Sequence, residues 1–213
     1  MFRKDRKLAL KGSAAFWEGV LIAGLLVVFG FLSYKSLHAG LLLLALCAWR
    51  MARYVADLRE GLDFFGIHFP ERRGILWMIA GLATGVIAWV GYYLIPGEAL
   101  PLPGIGFFAL SAFAVGLVEE LVYRGLLYRM WQPGGPLLAI LFSALAHTAY
   151  KLALLAPYPS VELLPVACWT LFAGLILGAL RHFSGSVLPS AANHVVFDVL
   201  VYGGAATGPH WVW

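Results

Sequence analysis

The stretch GIGFFALSAFAVGLVEELVYRG, residues 104–125, runs without a charged side chain from Gly104 to Val118 and then places Glu119 and Glu120 side by side. A carboxylate at membrane depth costs several kcal/mol unless it is paired, protonated or solvated, and such residues usually belong to a functional site. Two adjacent carboxylates double that cost. The pair therefore indicates a polar site inside an otherwise apolar helix.

The composition of the chain is typical of a membrane protein. Of 213 residues, 62% are hydrophobic and 12% are charged, far from the usual balance of a soluble domain. The apolar runs are long and continuous, which favours membrane helices over the short alternating strands of a β-barrel. We predict an all-α, polytopic helical membrane protein with one domain, residues 1–213. Cytoplasmic loops and anionic lipid account for the net charge of +4, so no nucleic-acid partner is predicted.

The chain contains about seven apolar segments that we predict to be transmembrane, with eight as the alternative number. Most approach the roughly 20 residues that a helix needs to cross the hydrocarbon core. Proline and glycine residues separate them, as expected for turns. The segments are residues 13–32, 37–53, 74–95, 105–128, 137–155, 161–180 and 187–202.

The distribution of basic residues predicts the orientation. With a cytoplasmic N-terminus, Lys35 and Lys151 alone among the 15 Lys and Arg residues fall on the outer side. Such an excess of positive charge is typical of cytoplasmic loops. Residues 56–73 mix charges with leucine, isoleucine and phenylalanine, which predicts a segment that lies along the cytoplasmic interface.

Three further polar side chains fall at the depth of the glutamate pair. His147 lies in the fifth segment, and His194 and Asp198 lie in the seventh. At 1.5 Å per residue, all of them lie roughly 10–17 Å from the cytoplasmic helix ends. His194 and Asp198 are four residues apart and share a helix face. Arg124, about one turn from the glutamates, can neutralise one of them.

Three short motifs, with a glycine stretch between the second and the third, occur in order along the second half of the chain. Their order and spacing resemble the CPBP family, which includes type II CAAX prenyl endopeptidases, bacteriocin-processing and self-immunity proteins, and abortive-infection-like proteins. The similarity covers about residues 105–202, which we take as the catalytic core. The motifs and the glycine stretch are Glu119-Glu120-Leu-Val-Tyr-Arg124-Gly125, similar to EExxxR; Ser143-Ala-Leu-Ala-His147, similar to FxxxH; Gly174-Leu-Ile-Leu-Gly178; and His194-Val-Val-Phe-Asp198, similar to HxxxN.

Two positions depart from the family pattern. Ser143 replaces the phenylalanine of the second motif, and Asp198 stands where the prenyl endopeptidases carry asparagine. An asparagine amide can donate a hydrogen bond to a developing oxyanion, whereas an ionised aspartate cannot. Asp198 can fill that role if it is protonated, or it can orient His194.

The resemblance implies hydrolysis of a peptide bond within the membrane by glutamate-activated water. Glu119 is then the leading general base and Glu120 assists, with one carboxylate ionised and the other protonated or held by Arg124. His147 and His194 would polarise the water or the scissile carbonyl. No serine or cysteine stands in a convincing nucleophile arrangement.

No cofactor is predicted, although the same residue types could ligate a divalent metal. The chain lacks the HExxH pattern that would supply two ligands and a base. Taken singly, Glu119 with Arg124 could be a structural ion pair, and His147 could be a hydrogen-bonding residue between helices.

Two other classes of function stay open beside the protease. The first is a non-catalytic immunity or scaffold protein of the same fold, and the second is a proton-coupled transporter. For the protease, the expected partners are the lipid bilayer and a membrane-anchored protein or peptide substrate. The expected location is the plasma membrane of a prokaryote.

Overall fold

The computed structural model describes residues 12–33, 35–52, 58–69, 73–101, 104–106 and 108–204. Within these ranges the chain is all-helical and contains no strand, as the sequence predicts. The helices are α1 (Gly12–Ser33), α2 (Leu37–Ala52), α3 (Leu58–Phe65), α4 (Gly74–Leu94), α5 (Phe108–Glu120), a π-helix (Leu121–Leu127), α6 (Tyr128–Trp131), a 3₁₀ turn (Gln132–Gly134), α7 (Pro136–Leu155), α8 (Leu163–Ser184) and α9 (Leu188–Tyr202).

Helix ends lie close to the predicted segment ends, because proline and glycine interrupt the apolar runs at these places. Pro136 occupies the first turn of α7, and Gly185, with φ +72°, ends α8 in the left-handed conformation. These are the favoured positions of the two residue types. The predicted basic N-terminus, residues 1–11, lies outside the described part of the chain.

Four helices in the described part of the chain are long and apolar enough to cross a membrane: α1, α4, α7 and α8. Large apolar side chains point outward from them. On α4, for example, Ile75, Ile79 and Ile87 are each more than half exposed. In water such a surface would be unfavourable, whereas in lipid it is the normal exterior of a helix. The finding indicates a membrane protein.

The fourth predicted segment, residues 105–128, is helical but is not one regular α-helix. It changes from α to π geometry directly after Glu120, and the amide of Tyr128 donates to the carbonyl of Tyr123, five residues earlier. Single π turns of this kind are frequent at functional sites. The carbonyl oxygen of Arg124, inside the turn, accepts a hydrogen bond from Nε of Arg181 at 3.1 Å.

Helix α9 lies between α4 and α5, and α7 lies between α1 and α8. Glycines permit the closest approaches between them. A side chain at Gly81 would collide with the carbonyl of Pro189, and one at Gly85 with that of Asn193. At Gly116, a Cβ would lie 3.1 Å from the carboxylate of Asp198. The glycines therefore set how near α9 lies to the helices that flank it.

The apolar core lies where the π-helix and α6 contact α1 and α7. Trp131 is almost fully buried, and its indole nitrogen donates to the carbonyl of Phe16 at 3.2 Å. The indole occupies the space beside Gly19, where a Cβ would come within 2.8 Å of Nε1. Tyr123 and Leu127 belong to the same core. This packing holds the π-helix, and with it Arg124, in a fixed position.

The predicted interfacial segment, residues 56–73, contains the short helix α3 within its described part, 58–69 and 73. Phe64 and Phe65 pack against the apolar core, and Phe65 lies against Gly125 of the π-helix. Ser186, in the turn before α9, donates to the carbonyl of His68 at 2.5 Å. The segment is thus attached to the π-helix that follows the glutamates and to the turn before α9. Its location at the cytoplasmic surface stays a prediction.

Candidate active site

Glu119 and Glu120 are the last two residues of α5, and both are buried. The other four polar residues nominated from the sequence come together around this pair, although the six residues belong to three separate parts of the chain. Arg124 lies in the π-helix, His147 in α7, and His194 and Asp198 in α9. Every one of these residues is less than a tenth exposed.

Glu120 accepts two hydrogen bonds on a single oxygen. Nη1 of Arg124 lies 2.8 Å from Oε1 of Glu120, and Nδ1 of His194 lies 2.9 Å from the same atom. Glu120 and Arg124 are completely buried. The arginine therefore pairs with Glu120, and the alternative of a structural Glu119–Arg124 pair is replaced by a Glu120–Arg124 pair.

Glu119 is held at both of its oxygens by different residues. Oε2 lies 3.0 Å from Nε2 of His147 and 3.6 Å from Nε2 of His194. Oε1 lies 2.6 Å from the ammonium nitrogen of Lys151. The two adjacent glutamates thus share only His194 among these partners, because neighbouring residues at a helix end point in different directions.

The contacts of His147 determine which of its nitrogens carries the proton. Nη1 of Arg124 lies 3.1 Å from Nδ1 of His147. A guanidinium can only donate hydrogen bonds, so Nδ1 must be the acceptor. The proton of the ring then lies on Nε2, which donates to Glu119. His147 is therefore a neutral imidazole that presents a hydrogen-bond donor to the carboxylate.

His194 occupies the centre of the site. Its Nδ1 faces Glu120, so this nitrogen carries a proton, because a carboxylate accepts. Its Nε2 faces Oε2 of Glu119 and Oδ2 of Asp198, each at 3.6 Å. Two acceptors facing a bare ring nitrogen would repel it. A proton must therefore reside on Nε2 or on one of these two carboxyl groups.

The cluster has a sealed side and a more accessible side. The side chains of Glu120 and Arg124 are 0% exposed, whereas those of Glu119, His194, Asp198 and Lys151 are 8%, 10%, 9% and 15% exposed. The accessible members include Lys151, which follows His147 by one turn, and Asp198, which follows His194 by one turn. Water or a substrate would reach the cluster from that side.

Three further residues of the site are not predicted by the sequence motifs. Lys151 was assigned to the outer side as a topology marker, although its four-residue spacing from His147 repeats that of Asp198 from His194. Tyr123 stacks on the imidazole of His147 with ring centroids 4.5 Å apart. Arg181, assigned to a cytoplasmic loop, is buried in α8 and contacts the backbone of Arg124. The sequence carries no signal for the last two beyond their polar side chains.

The histidine and carboxylate side chains of the site are of the types that can ligate a divalent metal. Among the residues that the structure describes, no group of three or more His, Cys, Asp or Glu side chains is arranged to hold a metal ion. Nε2 of His147 lies within hydrogen-bonding distance of Glu119, and Nδ1 of His194 lies within hydrogen-bonding distance of Glu120.

A comparison with models of protein families gives a match for part of the chain. Residues 101–200, which contain all six nominated residues, match the family model described as type II CAAX prenyl endopeptidase Rce1-like. Neither the curated proteins nor the solved structures contain a match to the chain. The matched family is one of membrane proteases, so the match indicates an intramembrane protease of the CAAX type. The resemblance of the site to the CPBP family is therefore confirmed over residues 101–200, where the chain matches its Rce1-like model.

Proposed function

We propose that the protein is an intramembrane endopeptidase in which Glu119 activates water for attack on a peptide bond. The observation that carries the proposal is that Oε2 of Glu119 lies near Nε2 of both His147 and His194, inside a cluster buried among apolar helices. A general base needs its acceptor atom within hydrogen-bond reach of the proton that it removes. A water between these groups would satisfy that condition.

Glu119 suits the role of base better than Glu120. Glu120 is completely buried, and its Oε1 already accepts from a guanidinium and an imidazole. Glu119 borders the accessible side of the cluster. Glu120 instead anchors Arg124 and His194, which in turn orient the residues around Glu119.

The bond changes in the proposed reaction balance without a cofactor. The water oxygen attacks the carbonyl carbon while its proton passes to Glu119. The carbonyl oxygen becomes negative and accepts hydrogen bonds from His194, with Asp198 as a second donor when it is protonated. The C–N bond then breaks, and the proton passes from Glu119 to the leaving nitrogen. No metal is part of this proposal.

The proposed substrate is a membrane-anchored protein or peptide, since the site lies among helices whose outer surface is apolar. The proposed topology has about seven membrane segments, or eight, with a cytoplasmic N-terminus. Residues 105–202 would form the catalytic core, and residues 56–73 the cytoplasmic interfacial segment. The proposed location is the plasma membrane of a prokaryote.

The test compares Glu119→Gln with Glu98→Gln, a matched control at an exposed loop position. Purified protein in liposomes is incubated with prenylated CAAX peptides and with a panel of single-span membrane peptides. We expect wild type and Glu98→Gln to cleave the same peptides, and Glu119→Gln to be slower by about 10²–10⁴-fold, the usual contribution of a general base.

Equal cleavage by Glu119→Gln and wild type would contradict the proposed base. Absence of cleavage by wild type across the panel would favour the scaffold interpretation. Proton-dependent flux through the same liposomes would favour a transporter.

A further inference from the structure

We propose that Lys151 is a positioning residue for Glu119: its ammonium holds Oε1, so that Oε2 is the oxygen that takes the proton from water. This inference deepens the proposed function and rests on it. Neither the motifs of the sequence nor the resemblance assigns a role to this lysine.

The contacts of the Glu119 carboxylate determine how it is oriented. Lys151 lies 2.6 Å from Oε1, and Oε2 receives the hydrogen bond of His147 at 3.0 Å. Contacts at both oxygens fix the plane of the carboxylate as well as its position. Oε2 is also the oxygen that faces His194. With Oε1 occupied by the ammonium, Oε2 points to the space between the two imidazoles.

The charge of Glu119 also needs a partner within the cluster. Buried carboxylates are stable as anions when a cation or several donors neutralise them. Arg124 neutralises Glu120. His147 is neutral, since Nδ1 accepts from Arg124, and it supplies Glu119 with a donor but with no charge. Among the described residues, the ammonium of Lys151 is therefore the permanently charged group in direct contact with Glu119.

The position of Lys151 within the site also suits this role. It lies on the accessible side, opposite the sealed Glu120–Arg124 pair, and it retains 15% of its side-chain exposure. Its aliphatic stem leaves α7 one turn beyond His147. The same helix therefore supplies the two shortest contacts of the Glu119 carboxylate, and a single rigid element sets its orientation. Sites built on rigid elements hold their geometry more precisely than sites on loops.

A purely structural role is the alternative, because the Lys151–Glu119 pair also joins α7 to α5. The two roles differ in how they respond to an added amine. A small amine can replace the ammonium in the space that a shortened side chain leaves, but it cannot restore a covalent link between two helices.

The first experiment therefore measures cleavage by Lys151→Ala with and without ethylamine, beside Lys35→Ala as a control at an exposed lysine. We expect Lys151→Ala to lower kcat by about 10²-fold, the cost of a reacting group misplaced by about 1 Å. Ethylamine should restore at least a tenth of the lost rate in a saturable way, whereas 1-propanol should not. Lys35→Ala should keep the wild-type rate.

Three outcomes would overturn the proposal. Lys151→Ala with the wild-type rate would show that the ammonium is not needed. If Lys151→Ala is folded but ethylamine does not reactivate it, the Lys151–Glu119 pair has a purely structural role. Equal reactivation by 1-propanol would show that filling the space, and not the charge, restores the rate.

A second measurement needs no turnover and so separates this inference from the proposed function. Lys151→Met replaces the ammonium by an unbranched side chain that packs readily. Infrared spectra at neutral pH should then show a protonated carboxyl band that is absent in wild type and disappears in the Lys151→Met/Glu119→Gln protein. Carboxyl bands unchanged by Lys151→Met would contradict the proposal, even if wild type proves to be a protease.

Discussion

Arg124 and His147, which lie 23 residues apart on different helices, are joined by a hydrogen bond from Nη1 to Nδ1 at 3.1 Å. The same Nη1 atom donates to Glu120 at 2.8 Å. Arg124 therefore does more than balance the charge of a carboxylate, since it also determines which nitrogen of His147 carries a proton. Through that proton, the sealed Glu120–Arg124 pair acts on the hydrogen bond that Glu119 receives.

Arg124→Met should reduce both stability and activity. Removal of the guanidinium leaves Glu120 buried without its cation, and breaking a buried ion pair by removing one partner costs about 3–5 kcal/mol. The measurement is thermal unfolding in detergent together with the rate of cleavage. Arg129→Met, which loses a part-buried hydrogen bond to Gln132, is the control and should unfold close to wild type. Equal stability of the two variants would contradict the importance of the Glu120–Arg124 pair.

Glu120→Gln and Glu119→Gln should fail in different ways. Glu120→Gln removes the charge that faces Arg124 in a fully buried pair, so it should lower the unfolding temperature more than Glu119→Gln does. Glu119→Gln should instead lower kcat with a smaller change in stability. Unfolding temperatures and rates measured on the same preparations test this division. The reverse order of effects would assign the base to Glu120.

Asp198→Asn tests the departure from the family pattern. An asparagine amide donates a hydrogen bond without needing a proton from solution, so we expect this variant to keep its rate within about tenfold of wild type. His194→Ala should lose about 10²–10³-fold in kcat, the range for removal of an oxyanion donor. Asp198→Ala is the matched comparison for Asp198→Asn. If all three variants cleave equally well, α9 does not contribute donors to the reaction.

Removal of divalent metals should leave cleavage unchanged. The proposed reaction needs only protons and water, so EDTA and 1,10-phenanthroline are expected to have no effect on the rate of liposome-embedded protein. Addition of zinc after chelation provides the control. Loss of activity on chelation that zinc reverses would replace the metal-free proposal by a metalloprotease, for which His147, His194 and the carboxylates offer suitable ligand types.

The ion pair between Glu18 and Arg50 should contribute to stability but not to catalysis. Nε of Arg50 lies 2.6 Å from Oε1 of Glu18, and the pair joins α1 to α2 away from the glutamate cluster. Glu18→Gln and Arg50→Met should each lower the unfolding temperature and leave kcat of the folded fraction unchanged. A double-mutant cycle should give a coupling of about 0.5–3 kcal/mol, the range for residues in direct contact. A coupling near zero would show that the helices associate by apolar packing alone.

Much of the fold follows from the sequence alone. Apolar runs of membrane length, broken by proline and glycine, predict the helices, and the described helices begin and end within a few residues of the predicted segments. The exception is the stretch after Glu120, where the π-helix appears. Its geometry depends on contacts from distant parts of the chain, among them Arg181 at the carbonyl of Arg124. No local pattern encodes such contacts.

The sequence also determined which residue types must meet, because buried charge in apolar helices has to find partners, and the depths of the glutamates, histidines and Asp198 agree along three segments. Only the tertiary structure decided which of these residues form ion pairs with each other. It joined Arg124 to Glu120 and Lys151 to Glu119, since the direction of a side chain across a helix contact depends on how each helix is rotated about its axis. That rotation is set by packing, such as the close approach of α9 to Gly81, Gly85 and Gly116.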